Sequence, residues 1–253
     1  MNHHSHPAPV TDVQMHLLTA PEAISAGTEI QLSLKPVRHT DPGAVVILTQ
    51  QHGAPFHLIV LDEALTWFRH LHPVLQPDGS YQVRLTFPAG GNYLLYADYQ
   101  PEGTPSLVDK ILLPVAGDRP GPVAVTGQKL TAVTGDLDIR IDLAAPLYTG
   151  TSTLLPFRIE RNGKPLKTTA LSPYLGAIAH LILIHGEDKD FLHIHPRSGT
   201  DAPVVAHTTF EKAGRYRLWI QFKTGDELHT AAFTLDVKAA MPAAPVQHVH
   251  HHG

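Results

Sequence analysis

The sequence predicts an all-β protein of two tandem antiparallel β-sandwich domains, immunoglobulin-like or cupredoxin-like, with flexible histidine-rich termini. Three observations carry this reading. The two halves of the 253-residue chain match one another at a fixed offset. Short runs alternate apolar and polar residues, as half-buried strands do. The 22 prolines and 19 glycines punctuate those runs, and no segment holds a sustained helical stripe.

The repeat is clearest where His57-Leu-Ile-Val-Leu-Asp-Glu-Ala-Leu-Thr-Trp-Phe-Arg-His-Leu-His-Pro73 aligns without a gap on His180-Leu-Ile-Leu-Ile-His-Gly-Glu-Asp-Lys-Asp-Phe-Leu-His-Ile-His-Pro196. Seven of the 17 positions are identical, and three of those are histidine. The same spacing of 123 residues pairs Gly27-Thr28 with Gly150-Thr151, Phe87 with Phe210, Gly91 with Gly214 and Tyr93 with Tyr216. After one deletion, Ile111 to Val115 matches Phe233 to Val237. The expected organisation is a tail over 1–12, a first sandwich over 13–116, a second over 117–239 and a second tail over 240–253. Ala116 to Pro122 reads as a short linker.

The strands follow in order. Tyr81 to Phe87, a Pro88-Ala-Gly-Gly91 turn and Tyr93 to Tyr99 give one strand pair in the first copy. In the second, Phe210 to Arg215 turns into Arg215 to Phe222, where Tyr216, Leu218, Ile220 and Phe222 share a face. Thr230 to Val237 alternates in the same way, with Ala231, Phe233, Leu235 and Val237 inward.

Composition excludes several functions. Nineteen lysines and arginines against 23 acidic residues give a formal charge of −4, which offers no basic footprint for nucleic acid. No apolar run approaches the roughly 18 residues of a transmembrane helix. Cysteine is absent, which removes disulfides, thiolate metal sites and cysteine nucleophiles. Histidine is in surplus: 19 residues, nine between His3 and His72, ten between His180 and His252, and none from Pro73 to Ala179.

The repeated histidines point to a site. If Leu58 to Asp62 and Trp67 to Leu71 form a hairpin around Glu63 to Thr66, opposed residues have numbers that sum to about 129. His57 then faces His72, and Ile59 faces His70. Opposed residues project to one side, and His70 and His72 share a side by the two-residue period. Three imidazoles converge, and the offset predicts the same for His180, His193 and His195. Neutral imidazole suits copper(II), zinc and nickel, with affinity peaking at copper, whereas calcium and magnesium prefer oxygen. With only Met1, Met15 and Met241 present, a thioether copper(I) site is poorly supported. His229 opens the last strand and is expected as a fourth ligand, which would make the second site the tighter. A single His-x-His-Pro could merely cap a hairpin; its recurrence in both copies, while neighbours such as Asp62/His185 have drifted, favours metal.

His16, His39, His52, His185 and His207 have no repeated partner and read as surface or core polar residues. Met1-Asn-His-His-Ser-His-Pro7 and Gln247-His-Val-His-His-His-Gly253 read as metal-scavenging tails. A free amine with a histidine at position three can hold copper(II) or nickel(II) in square-planar geometry. Val249 interrupts the final cluster, unlike an ordinary affinity tag.

Ser172-Pro-Tyr-Leu-Gly-Ala-Ile-Ala-His180, Phe191-Leu-His-Ile-His-Pro196, Ala213-Gly-Arg-Tyr-Arg-Leu-Trp219 and His229-Thr-Ala-Ala-Phe233 resemble the YtkA-like and FixH-like secreted bacterial β-sandwich proteins, which are heavy-metal associated. His57 to Pro73 resembles a first copy of the same arrangement. The resemblance implies an export signal, which this chain does not show, and a periplasmic or extracellular home. A methionine expected beside the first histidine is Phe56 in one copy and Ile178-Ala179 in the other, which leaves copper(II) or zinc favoured.

The expected function is therefore a secreted or periplasmic metal-binding protein, for copper first and zinc or nickel next, that buffers, sequesters or delivers ions, with a donor or acceptor protein as partner. A structural or adhesive module, self-assembling into an oligomer or filament through edge strands or tails, is the alternative. A metalloenzyme is weakest. Three histidines with an open position can activate water, and Glu187, Asp188 and Asp190 lie between the ligand strands, but nothing marks a substrate pocket or a dedicated base.

Overall fold

The computed structural model describes residues 12–19, 24–121, 127–194, 196–199 and 202–240. His195 and the histidines of both termini lie outside these residues. The chain divides into two compact units, Met1–Val125 and Thr126–Gly253.

The first unit holds β1 (Val13–Thr19), β2 (Glu29–Arg38), β3 (Phe56–Asp62), β4 (Phe68–Leu71), β5 (Val74–Leu75), β6 (Tyr81–Thr86), β7 (Gly91–Tyr99) and β8 (Leu107–Val115). They form two antiparallel sheets, ordered β1-β2-β6-β5 and β4-β3-β7-β8. Alternate residues of each sheet meet in one core: Leu32 and Leu34 of β2 and Leu85 of β6 from one side, Phe56, Leu58, Val60, Tyr93, Leu95 and Ala97 from the other. This is the sandwich arrangement, with each inner face set by the two-residue period of its strands.

The second unit repeats the plan. Its strands are β9 (Thr131–Thr134), β10 (Leu137–Ile141), β11 (Leu147–Tyr148), β12 (Ser152–Arg161), β13 (Lys164–Pro165), β14 (Ala179–His185), β15 (Phe191–Ile194), β16 (Val204–Thr209), β17 (Gly214–Thr224) and β18 (Glu227–Lys238). One sheet runs β13-β12-β10-β9, with β16 also paired to β12, on the edge opposite β10; the second runs β11-β18-β17-β14-β15. Leu155, Phe157, Leu181, Leu183, Phe210, Leu218, Phe222 and Phe233 belong to its core. Among the described residues the single helical element is a 3₁₀ turn at Thr168–Ala170.

Two details tie the copies to the immunoglobulin-like plan. The Tyr93 hydroxyl donates to the Ala89 carbonyl at 2.9 Å, and the Tyr216 hydroxyl donates to the Lys212 carbonyl at 3.0 Å. Both are tyrosine corners, in which a tyrosine near a strand start bonds back to the preceding turn. Ala116 bridges Ser25, and the Gly90 amide donates to the Asp118 carbonyl. A Cβ on Gly90 would sit 2.1 Å from the Gly117 carbonyl oxygen, so only glycine admits this crossing.

Candidate metal centre

The site is built on the β3–β4 hairpin. Leu58 pairs with Leu71 and Ile59 with His70, so opposed numbers sum to 129, as the sequence predicts. The same register carried one residue further sets His72 opposite His57. Asp62 fixes the hairpin's turn: its Oδ1 accepts from the Thr66 and Trp67 amides at 2.6 and 2.8 Å. A slip of one residue would send the histidines to opposite faces, so this turn matters to the site.

The three rings meet. His57 Nδ1 lies 2.9 Å from His70 Nε2 and 3.2 Å from His72 Nε2. The His70 and His72 ring centroids are 4.6 Å apart. One nitrogen from each ring falls within 4.8 Å of the others, the one such group of three among the described residues. Tetrahedral bonds of roughly 2.05 Å to imidazole nitrogen imply ligand separations of about 3.3 Å. The two separations from His57 Nδ1 differ from that by tenths of an ångström, and all three nitrogens lie within 4.8 Å of one another.

A tight turn sets the tautomer. His57 Nε2 lies 2.9 Å from the Gln51 carbonyl oxygen, which can only accept, so Nε2 carries the proton and Nδ1 presents its lone pair to the other two rings. Metal-bound imidazoles commonly donate their second nitrogen to a carbonyl in this way. Gln51 bridges Ala54 across His52 and Gly53, whose φ values are +49° and +82°. Positive φ at both central residues is what a type I′ turn requires. The second copy has the same device: Tyr174 bridges Ala177 across Leu175 (φ +49°) and Gly176 (φ +74°), and its carbonyl lies 2.9 Å from His180 Nε2. The sequence reading passed over these carbonyls; the His-Gly and Leu-Gly pairs between short apolar runs are the signal for them.

Electrostatics favour neutral imidazole. Burial pushes the His57 pKa below the ordinary histidine value, against opposing pulls from the Gln51 carbonyl and the Asp98 charge. Burial raises the Asp98 carboxyl, while His57 and His52 draw it down. His57 is 1% exposed and His70 8%, so the open approach lies on the side of the half-buried His72.

In the second copy Leu181 pairs with Ile194 and Ile182 with His193, the same register. His180 Nδ1 lies 3.3 Å from His193 Nε2. His195, the expected third ligand, is outside the described residues. His229 is not brought to this site. It stands in the row Ala179–Phe222–His229, whereas His180 stands in the next, with Gln221 and Thr230. Neighbouring rows face opposite sides of a sheet. His229 instead stacks on Phe222 at 5.3 Å, and its Nε2 shares a hydrogen bond of 2.8 Å with the Thr224 hydroxyl. The expectation that it tightens the second site therefore loses its basis. His185 is also occupied elsewhere, with Nδ1 2.7 Å from Asp188 and its ring 4.9 Å from Tyr216.

No curated protein matches the chain. Among solved structures, the fibronectin(III)-like modules of Clostridium thermocellum CbhA are 12% identical, covering 95% of this chain and 100% of theirs, with a TM-score of 0.25. A Salmonella alpha-2-macroglobulin is 12% identical over 92% of this chain and 15% of its own, with a TM-score of 0.32. The two tandem V-type regions of the chitin-binding protein VCBP3 are 12% identical over 90% of this chain and 100% of theirs, with a TM-score of 0.24. At these scores the sandwich assignment rests on the sheets and tyrosine corners described above. The family match names neither YtkA-like nor FixH-like proteins, but it does fall twice along the chain, as the internal repeat predicts. Matched over residues 4–112 and 131–239, the chain belongs to the family described as Domain of unknown function (DUF8832).

Proposed function

We propose that this protein binds a transition metal at the His57–His70–His72 centre, and that it buffers, sequesters or delivers the ion rather than transforming a substrate. The observation that carries this reading is the convergence of three imidazole nitrogens, with the His57 tautomer set by the Gln51 carbonyl. An all-nitrogen donor set favours copper(II), then zinc or nickel, over calcium or magnesium. Copper(II) is the proposed physiological ion. His180 and His193, held in the same register and by the equivalent turn, form the core of the proposed second centre, to which His195 would contribute. The resemblance to secreted heavy-metal-associated sandwiches supports a periplasmic or extracellular setting, with a metal donor or acceptor protein as partner.

Calorimetric titration with copper(II) and zinc, with elemental analysis of the dialysed complexes, tests the reading. The tail histidines and His180, His193 and His195 are first replaced by alanine. The first centre then binds one ion per chain, and the further change His57→Ala/His70→Ala/His72→Ala abolishes that binding. Undiminished stoichiometry and affinity in this last variant would refute the folded site.

A further inference from the structure

The turn that carries the Gln51 carbonyl is tied to the end of β7 by backbone and by side chains. The Thr49 amide donates to the Gln100 carbonyl at 2.8 Å, the Glu102 amide donates to the Ile47 carbonyl at 2.9 Å, and Leu48 bridges Pro101. The side chains continue the tie. The Gln51 amide donates to the Gln100 side-chain oxygen, and the Gln100 amide donates to the Thr104 carbonyl at 2.7 Å. Gln51, Gln100 and Thr104 are half-buried. One chain of hydrogen bonds therefore runs from the β7–β8 connection through Gln100 and Gln51 to His57 Nε2.

The second copy keeps the backbone half of this arrangement and replaces the rest. Its Ser172 amide donates to the Lys223 carbonyl at 2.9 Å, and these two residues stand where Thr49 and Gln100 do at the 123-residue offset. A lysine side chain has no acceptor to offer a turn residue. In the place of Gln51 stands Tyr174, whose ring packs edge-on against His180 with centroids 5.5 Å apart. The first imidazole is thus supported by a polar clamp on its turn in one copy and by an aromatic ring in the other.

A neutral imidazole has two tautomers and can turn over about its bond to the chain, and one combination presents the Nδ1 lone pair to His70 and His72. The Gln51 carbonyl selects that combination, but only as firmly as its turn is held. The paired amides supply the hold. We propose that Gln100 is a positioning residue of the first centre: through the Gln51 side chain it fixes the carbonyl that orients His57, and so raises the affinity of the centre for a divalent ion. The inference rests on reading the histidine triad as a metal site. Gln100 acts through Gln51 and not as a ligand.

The probe is zinc alone, titrated by competition with a chromophoric chelator. The protein is the full-length chain with the tail histidines, His180, His193 and His195 replaced by alanine. In that background Gln100→Met, which keeps the length of the side chain and removes both of its hydrogen bonds, weakens zinc binding about 10-fold, the lower end of the range for outer-shell partners of a metal ligand. Gln51→Met, which keeps the carbonyl and removes the amide, gives the same loss. The double variant loses no more than either alone, as two residues acting through one contact require. A second readout follows the His57 Nε2 proton of the zinc complex by proton–nitrogen NMR of the imidazoles: it exchanges with water several-fold faster in Gln100→Met than in its parent. Unchanged zinc affinity in Gln100→Met overturns the inference, as do losses that add in the double variant, or a loss of affinity with the exchange of the Nε2 proton unchanged. The His57→Ala/His70→Ala/His72→Ala variant separates the two levels: if it loses zinc while Gln100→Met does not, the triad stands and the role of Gln100 falls; if it keeps zinc, the triad reading itself falls. Should Gln100→Met not fold, Gln51→Met carries the test on the same two readouts, and unchanged affinity there overturns the inference.

Discussion

His57 is the residue on which the site turns. Its Nε2 proton is committed to Gln51, its Nδ1 faces His70 and His72, and it is almost wholly buried. Burial lowers its pKa, so the unfolded chain takes up a proton at this residue more readily than the folded one. Stability from this group is therefore complete above the ordinary histidine value of about 6.5 and is lost as pH falls through the lowered folded value. Asp98, His52, His70 and His72 surround the ring, so a comparison isolates it. Urea unfolding of chelator-treated protein should show a loss of stability between pH 7.5 and 5.5 that is smaller in His57→Asn. An equal loss in both proteins would contradict the assignment. The residue scale is also where sequence reasoning erred. His229 shares the parity of the inward-facing Ala231 and Phe233, while His180 is out of phase with the inward-facing Leu181 and Leu183. That phase difference was present in the sequence, and it places the two histidines on opposite faces of one sheet.

At the level of elements, the β3–β4 hairpin was readable because its turn length and apolar pattern left one register that buries Leu58 and Val60. The Gln51–Ala54 and Tyr174–Ala177 turns were not read, since their importance lies in a carbonyl that no residue type announces. Leu175 at φ +49° is an uncommon conformation for a branched side chain. Leu175→Asn, which tolerates that region better, should stabilise the protein by about 0.5 kcal/mol in urea unfolding. The tyrosine corners make a second pair of predictions. Tyr93→Phe and Tyr216→Phe each remove one hydrogen bond and leave a turn carbonyl without its donor, which should cost about 1 kcal/mol each by the same measurement.

For the whole molecule, the 123-residue offset was the most informative feature of the sequence, since it predicted two sandwiches, two hairpins and two histidine sets at once. Each unit has its own core, and Phe87 and Phe210 occupy matching, fully buried positions in them. Replacing either with alanine should cost about 3–5 kcal/mol. Ala116 to Asp118 looks like a linker by composition and is bonded onto the first unit. The asymmetry between the copies, Gln100 against Lys223, was invisible until backbone pairing set each beside the turn that holds its histidine. The first unit is proposed to hold a metal ion through three imidazoles. Anomalous diffraction from crystals saturated with zinc or copper(II) tests it most directly. A peak is expected about 2.0–2.1 Å from His57 Nδ1, His70 Nε2 and His72 Nε2; a saturated crystal with the three rings ordered and no peak between them would refute the centre.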